Sequence, residues 1–369
     1  MTQHSLTTRL GEYISLVLPD AHGHQQKAVS DFVRALCLVQ SCCQATLARF
    51  FDNFEAASKR LSRLLHNSRL EIEALALAHA RALVRQLPEA CAVRLSLDWT
   101  SEETQHLLVA SVRVGRRAVP VYWRAYQDSE LKERMSLYER EFVRRLFSEV
   151  LQGVARRRFI LTADRWFADA DLLDLLNEMG ISYLIRTKAN YKVLLDGQWR
   201  KLGSLRWRGN QRRRAWGRVW YTETDPRRVY LLQARARDAK GNWGVWHLVS
   251  NRNLSAVRAA QEYARRFTCE EGFRDSKRLL GFAAARIKCL KAWARMFVLV
   301  AMALLIMTRM GCALLARADC ERLLRRVRSR REARSELSLV RSVVELLTQD
   351  ESWWQLLAHQ CRLNLEAGL

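Results

Sequence analysis

Two aspartates follow short apolar segments in the middle of the chain. Asp98 ends the run CAVRLSLD, and Asp164 follows FILTA. Both runs have the length and composition of β-strands, and the carboxyl ends of parallel strands open on a common crevice. The pattern therefore predicts two carboxylates at one edge of a sheet. Either aspartate taken alone fits a helix N-cap or a surface turn equally well.

A third polar element is the segment YARRFTCEEGFRDSK, from Tyr263 to Lys277. If this segment is one continuous helix, side chains at offsets 0, 3, 7 and 14 lie within about 60° of one another. Those side chains, with one further arginine on the same face, are Tyr263, Arg266, Glu270, Lys277 and Arg274. Glu271 would point about 100° away, so helical geometry selects Glu270 as the acid that faces the crevice.

Three carboxylates in a basic chain suit a hard divalent cation. Carboxylate oxygens are the protein ligands that Mg²⁺ prefers, and water or substrate phosphate completes its coordination. Two such ions about 4 Å apart activate the attacking oxygen and stabilise the leaving oxygen of an in-line phosphoryl transfer. Arginine and lysine beside them would hold DNA phosphates. The residues therefore predict metal-dependent phosphodiester chemistry on nucleic acid.

The charge balance supports an anionic partner. The 369 residues include 62 Lys and Arg against 38 Asp and Glu, a net charge of +24. Such an excess favours nucleic acid first and an anionic membrane surface second. The longest apolar run, Met296–Met307, is shorter than the roughly 20 residues that span a bilayer. The amino terminus shows no secretory signal, and the nine cysteines lack a C-x-x-C pair, so we expect a cytoplasmic protein.

Organisation changes along the chain. The length predicts two or three domains. Residues 1–90 show apolar positions at helical spacing, with a basic cluster that contacts a DNA groove or is a solvated helix face: Lys59, Arg60, Arg63 and Arg69. Strand and helix patterns alternate from residue 91, which indicates an α/β fold. The helices predicted there run from Leu131 to about Val154 and over ADADLLDLLNEMG, which Gly180 closes. Residues 191–246 contain an Asp196-Gly197 hairpin signal and read as a basic β-rich insertion. Helical patterns return after Ser255, with a very basic run at 325–334.

Three motifs resemble those of a known family. LDWT at 97–100, ADRWF at 163–167, and the four-residue spacing Y-x2-R-x3-E-x6-K resemble the DDE motifs of cut-and-paste insertion-sequence transposases. The resemblance is to the subgroup that includes the Tn-five and Tn-ten transposases, and it covers most of the chain. Trp166 departs from the pattern, because many relatives have a small residue after the Asp-Arg pair.

The resemblance implies an α/β fold: an RNase H-like, mixed-sheet catalytic core interrupted by a β-rich insertion, with helical regions at both ends. The implied segments are a DNA-end-binding region at 1–90, the first part of the core at 91–190, the insertion at 191–246, and the second part of the core with the signature helix at 247–315. The last segment, 316–369, would be a helical region for dimerisation.

The resemblance also implies roles for single residues. Asp98, Asp164 and Glu270 would bind two Mg²⁺ ions, with Mn²⁺ as a substitute. Tyr263, Arg266 and Lys277 would contact DNA phosphates near the cleaved end, and we expect Arg274 and Arg165 to contact DNA as well. Trp246 would accept a base flipped out as a DNA hairpin forms. The alternative for Trp246 is a core residue of a strand. For the tryptophans at 207, 216 and 220, we favour the core of the insertion over stacking on bases.

The function implied is a DNA transposase that excises and joins an insertion sequence by phosphodiester hydrolysis and transesterification, through a hairpin intermediate. Its partners would be double-stranded DNA, namely terminal inverted repeats and target DNA, and a second copy of the chain on the DNA; no membrane partner is expected. We expect it in the bacterial cytoplasm, with the nucleoid. Two alternatives stay open at this point: a transposase-derived DNA-binding protein that does not cut, and an RNase H-like structure-specific nuclease.

Overall fold

The computed structural model describes residues 6–85, 92–114, 117–207, 211–237, 243–315 and 339–349. The chain forms two compact units. The first consists of Met1–Glu89, Thr100–Gln127 and Cys269–Leu369, and the second of Ala90–Trp99 and Asp128–Thr268. Each unit therefore combines segments that are distant in sequence. The five segments expected from the sequence do not coincide with these units and stay a prediction.

Helices build the amino-terminal part of the first unit, as the apolar spacing predicted. They are α1 (Leu6–Val17), α2 (Gly23–Val39), α3 (Gln44–Ala48), α4 (Phe54–His66) and α5 (Ile72–Arg85). The Asn53 side chain caps α4 by accepting a hydrogen bond from the Ala56 N–H. At the other end of α4, the buried Arg295 donates to the carbonyl oxygens of Leu65 and Leu70. Both ends of α4 are therefore held by side chains.

A long apolar helix forms the centre of the first unit. Helix α11 (Leu290–Leu315) packs against α2, α5 and strand β3 (Arg117–Gln127), which pairs antiparallel with β2 (Gln105–Val114). Its residues 290–314 are long and apolar enough to cross a membrane, but 83% of the apolar window is buried within the protein. Trp123 and Phe297 meet edge to face at this contact. The apolar run is thus a core helix.

The carboxyl-terminal region is described only in part. Helix α12 (Leu339–Gln349) packs against α2 and α11. The basic run at 325–334 lies outside the described residues, so its helical conformation stays a prediction.

The second unit is built on a mixed sheet. Its strands are β1 (Val93–Glu102, of which residues 100–102 belong to the first unit), β4 (Phe159–Ala163), β5 (Ser182–Thr187), β6 (Lys192–Leu195), β7 (Gln198–Lys201), β8 (Arg213–Tyr221), β9 (Arg227–Arg237) and β10 (Trp243–Ser250). Within this unit they are ordered β1-β4-β5-β10-β9-β8-β6-β7. The β1-β4-β5 ladders are parallel and the remaining ladders are antiparallel. Together with the helices, this confirms the expected α/β fold, which has the form of an RNase H-like core carrying a β-rich insertion.

Turn chemistry explains the hairpin inside the insertion. Asp196 and Gly197 connect β6 to β7, and both residues have positive φ angles, 51° and 77°. A two-residue turn of this hand matches the right-handed twist of its strands, and Asp-Gly is one of the few pairs that adopts it readily. The predicted hairpin is confirmed.

Several shorter helices lie between and after the strands. They are α6 (Asp128–Leu131), α7 (Met135–Arg145), α8 (Ala170–Glu178), α9 (Ala256–Ala264) and α10 (Phe267–Arg274). A π-helical turn, Leu146–Val150, extends α7, and another, Asp275–Leu279, extends α10. The single helix expected from Leu131 to about Val154 is therefore wrong at its start, because α6 and α7 are separated by a turn. Helix α8 follows the prediction, and Gly180 after it has a positive φ of 67°.

Candidate active site

Strand register brings the two aspartates to neighbouring positions. Strands β1 and β4 are parallel and pair Leu97 with Ala163, the last pair of their ladder. Asp98 is the next residue of β1, and Asp164 directly follows the end of β4. The expectation that Asp98 ends its strand is wrong, since β1 continues to Glu102. Asp98 nevertheless lies where the pairing with β4 stops, and so both carboxylates stand at the same edge of the parallel ladder.

A buried arginine joins the two carboxylates. Arg266 Nη1 lies 2.8 Å from Asp98 Oδ2, and its Nη2 lies 3.8 Å from Asp164 Oδ2. The Arg266 side chain is only 3% exposed, whereas those of Asp98 and Asp164 are 17% and 29% exposed. The two carboxylates are thus partly accessible to solvent, whereas the guanidinium that pairs with them is buried.

Arg266 lies in a turn. Helix α9 ends at Ala264 and α10 begins at Phe267, and the Arg266 N–H donates to the Tyr263 carbonyl three residues back. The single helix expected over 263–277 is therefore wrong, because this turn and the π-helical turn at 275–279 change the angular position of every later side chain. No glycine or proline marks the turn at 265–266 in the sequence.

An aromatic cluster supports the Arg266 side chain. Its guanidinium carbon lies 5.7 Å from the ring centroids of Tyr263 and Phe267. Tyr263 is fully buried, and burial raises the pKa of its phenol. The half-buried Trp246 ring packs against both rings, with centroid distances of 5.1 Å to Tyr263 and 5.6 Å to Phe267. Tyr263 and Trp246 also contact the apolar core formed by Leu184, Leu232, Leu248 and Ala259.

This environment bears on two sequence hypotheses. A direct contact of Tyr263 with a DNA phosphate stays a prediction, and the phenol ring is part of the core in this structure. Trp246 is half-buried and its ring packs in the aromatic cluster, which agrees in part with the alternative of a core residue. Its role as a base acceptor stays a prediction.

Glu270 belongs to the first unit. It is an exposed residue of α10. Its neighbour Glu271 forms ion pairs with Arg117 and Arg274. The helix approaches strand β3 closely here: a Cβ atom on Gly272 would lie 2.8 Å from the Ala118 carbonyl oxygen. Only glycine tolerates such an approach without a backbone shift. Close packing therefore fixes the position of the helix that carries Glu270.

The remaining basic candidates occupy different surroundings. Lys277 pairs with Glu102 at 2.8 Å and donates to the Ser101 carbonyl oxygen, both in the first unit. Arg274 is exposed on α10. In the second unit, the Arg165 side chain is exposed, and its backbone N–H donates to the Asp164 carboxylate. A DNA contact for each of the three stays a prediction.

The structure adds one buried acid that sequence reasoning missed. Glu139 of α7 is 3% exposed, and it accepts a 2.7 Å hydrogen bond from the indole N–H of Trp99, the residue after Asp98. Burial raises the pKa of Glu139 to about 7. The contact joins residues 40 positions apart in sequence, and a glutamate in an amphipathic helix reads as a surface residue, so no local signal reveals it.

A second acid of this unit is held by two arginines. Glu262 accepts hydrogen bonds from Arg94 at 2.7 and 3.0 Å and pairs with Arg265 at 2.5 Å. Burial would raise the pKa of Glu262, but the two guanidiniums outweigh burial and lower it. The bidentate pair joins β1 to α9, the two elements that carry Asp98 and lead to Arg266.

Hard-cation chemistry fits the Asp98–Asp164 pair. Both side chains offer carboxylate oxygens, both are partly accessible, and Mg²⁺ binds such oxygens while retaining water or phosphate ligands. Within the part of the chain that the structure describes, no group of three or more His, Cys, Asp or Glu side chains is clustered as a metal site. Of the three expected metal ligands, the second unit therefore contains two, Asp98 and Asp164.

The insertion presents tryptophans covered by arginines. Four pairs place a guanidinium carbon 3.4 to 5.7 Å from an indole centroid: Arg214–Trp216, Arg228–Trp220, Arg235–Trp207 and Arg212–Trp243. Trp220 and Trp243 are exposed, and Trp207 and Trp216 are half-buried. The expectation that Trp207, Trp216 and Trp220 form the core of the insertion is wrong, since none of the three is buried and the buried side chains there include Val193, Leu202, Val219, Tyr221, Val229 and Leu231. A basic, aromatic surface of this kind suits nucleic acid.

The fold and the paired acids define a class. A mixed sheet that delivers two carboxylates from adjacent parallel strands, in a chain with a net charge of +24, has the features of a protein that processes nucleic acid. Residues 143–306 match the family model described as transposase DDE domain. This match contains Asp164, Arg266 and Glu270, and it confirms the expected relationship to DDE insertion-sequence transposases. Over residues 143–306 the chain is therefore similar to a transposase DDE domain. The expected subgroup, that of the Tn-five and Tn-ten transposases, stays a prediction. No curated protein matches the sequence.

Proposed function

We propose that the protein is a transposase that excises an insertion sequence and joins it to target DNA in a metal-dependent reaction. The observation that carries the proposal is the pair Asp98 and Asp164 at the end of the β1–β4 ladder, inside a chain that is similar to a transposase DDE domain over residues 143–306. We assign Asp98, Asp164 and Glu270 as the ligands of two Mg²⁺ ions, which Mn²⁺ can replace. When bound, the ions would activate the attacking oxygen and stabilise the leaving oxygen.

The chain's own residues bind and orient the DNA in this proposal. Exposed Arg165 and Arg274 contact backbone phosphates, and Tyr263, Arg266 and Lys277 act close to the cleaved end. The excess of positive charge supports a large electrostatic share of the affinity. Residues 1–90 would bind the element ends, the insertion would contact flanking DNA, and two copies would act together on paired ends. Such a protein works in the bacterial cytoplasm, at the nucleoid.

The proposed reaction passes through a hairpin. After the first nick, the free 3′-hydroxyl attacks the opposite strand, so one acidic site performs both steps with water and then a hydroxyl as nucleophile. The hairpin requires an unstacked base, and stacking on an aromatic ring offsets a cost of a few kcal/mol. The accessible part of Trp246 supports this residue as the stacking partner.

One experiment tests the proposal. Purified protein is incubated with Mg²⁺ and an end-labelled duplex that carries the element's own terminal repeat, and the products are resolved on a denaturing gel. We expect a nick at the element end, followed by a hairpin. Trp246→Ala should keep the nick and lose most of the hairpin. Tight binding without any cleavage would identify a DNA-binding protein, and cleavage independent of the repeat would identify a nuclease; either result overturns the proposal.

A further inference from the structure

Arg266 occupies an unusual position for a DNA-contacting arginine. Its guanidinium contacts both Asp98 and Asp164, and only 3% of the side chain is exposed. Two aromatic rings, those of Tyr263 and Phe267, lie at equal distances of 5.7 Å from the guanidinium carbon. The side chain is thus held against the acidic pair by charge on one side and by rings on the other.

The guanidinium and a divalent cation need the same carboxylate oxygens. Arg266 donates to Asp98 Oδ2 and approaches Asp164 Oδ2, which are oxygens that a hard cation would also use. Two positive charges within about 4 Å of each other repel strongly where solvent access is limited. A cation therefore binds this pair weakly as long as the positive charge of Arg266 is directed at the two acids.

We propose that Arg266 couples metal binding to DNA binding: it neutralises Asp98 and Asp164 until a DNA phosphate pairs with the guanidinium, and the cation then binds. This inference rests on the proposed function and adds a positioning role for Arg266. A guanidinium has five N–H donors in a planar fork that matches phosphate oxygens, so it can exchange a carboxylate for a phosphate.

Thermodynamic linkage makes the inference quantitative. If DNA raises the affinity for the cation by some factor, the cation raises the affinity for DNA by the same factor. Couplings of this kind between two sites typically lie between about 5-fold and 150-fold. We expect a factor of at least about tenfold here, because the guanidinium is nearly fully buried against the acids.

The first test uses the wild-type protein and no substitution. Free Mn²⁺ is counted by electron paramagnetic resonance during titration of the protein, alone and with a duplex whose 3′ end coincides with the cleavage position, so that no bond remains to be cut. Asp98→Asn with the same duplex corrects for Mn²⁺ held by the DNA. We expect the Kd for Mn²⁺ to fall at least about tenfold with DNA, and the Kd for DNA, from fluorescence anisotropy, to fall equally with Mn²⁺.

The second test removes the positive charge. Arg266→Gln should bind Mn²⁺ without DNA about as tightly as wild type does with DNA, and the coupling should vanish. Arg265→Gln is the matched control, because Arg265 pairs with Glu262 and leaves the two aspartates untouched. This variant should keep the wild-type coupling. Circular dichroism establishes that each variant is folded before titration.

The outcomes separate the two proposals. Equal Mn²⁺ affinity with and without DNA, in a protein that cleaves DNA with Mg²⁺, overturns the coupling role and leaves the transposase function intact. Unchanged Mn²⁺ affinity in folded Arg266→Gln overturns it as well. Absence of specific Mn²⁺ binding under every condition, together with no cleavage, contradicts the metal-dependent function itself.

Discussion

The buried carboxyl of Glu139 should make the stability of the protein depend on pH. In the folded protein its pKa is about 7, against 4.5 for an ordinary glutamate, because burial disfavours the charged form. The folded state therefore holds this proton more tightly than the unfolded chain does. Stability from this group is complete below about pH 4.5, and it is lost as the pH rises towards about 7. At about 1.4 kcal/mol per tenfold change, the loss reaches about 3 kcal/mol.

Glu139→Gln tests this reasoning. The amide oxygen can accept the Trp99 hydrogen bond, and the side chain has no charge to desolvate. The variant should come closest to wild type near pH 5, and its advantage in stability over wild type should grow by about 2 to 3 kcal/mol between pH 5 and pH 8. Urea unfolding followed by Trp fluorescence at pH 5, 6, 7 and 8 measures the difference.

A matched control and a refuting result complete this experiment. Glu149→Gln changes an exposed glutamate in the π-helical turn that extends the same helix, and its stability should stay within about 0.5 kcal/mol of wild type at every pH. A constant difference between Glu139→Gln and wild type from pH 5 to pH 8 would refute the account. In that case Glu139 is charged in the folded protein at all these pH values.

Three further predictions concern other parts of the molecule. Gly272→Ala should destabilise the protein by about 1 to 3 kcal/mol in thermal or urea unfolding, because the added Cβ would meet the Ala118 carbonyl oxygen. The control Gly11→Ala, in the open part of α1, should stabilise the protein by up to about 1 kcal/mol. Equal effects of the two substitutions would contradict the close packing at Gly272. Burial lowers the pKa of His79 to about 4, so the stability that this group contributes is complete above about pH 6.5 and is lost as the pH drops towards 4. His79→Gln should therefore lose less stability than wild type over this pH range in urea unfolding. The same pH dependence in the variant and in wild type would contradict the assignment of a buried, neutral histidine. DNA affinity should fall by about three to five orders of magnitude between 50 and 200 mM salt, as expected if roughly 6–10 phosphates are neutralised; a flat profile in anisotropy titrations would assign the basic excess another purpose.

Local patterns predicted much of the fold. Apolar spacing located the amino-terminal helices, the Asp196-Gly197 pair located a hairpin, and apolar runs located β1 and β4. These signals are readable because each depends on neighbours within a few residues. The pairing of Leu97 with Ala163, which aligns the two aspartates, depends on residues 66 positions apart and could only be expected from the general behaviour of parallel strands.

The contacts of Arg266 could not be predicted from the sequence. The expected polar stripe assumed one helix, and the turn at 265–266 has no glycine or proline to reveal it. The acids that Arg266 contacts are 168 and 102 residues away, and the hydrogen bond of Glu139 to Trp99 is equally invisible locally. Residue types with their spacing identified the participants, but tertiary packing decides which charges meet.

The central claim is that Asp98, Asp164 and Glu270 carry metal-dependent cleavage of DNA. Its most direct measurement compares Mg²⁺-dependent nicking of the terminal-repeat duplex by wild type and by the three single alanine variants, at protein concentrations that give equal DNA occupancy in anisotropy. Glu103→Ala, an exposed acid in the turn after β1, serves as the matched control and should cleave as wild type does. We expect each of the three variants to bind the duplex within a few fold of wild type and to form no nicked product. Wild-type nicking by any one of the folded variants would contradict the claim.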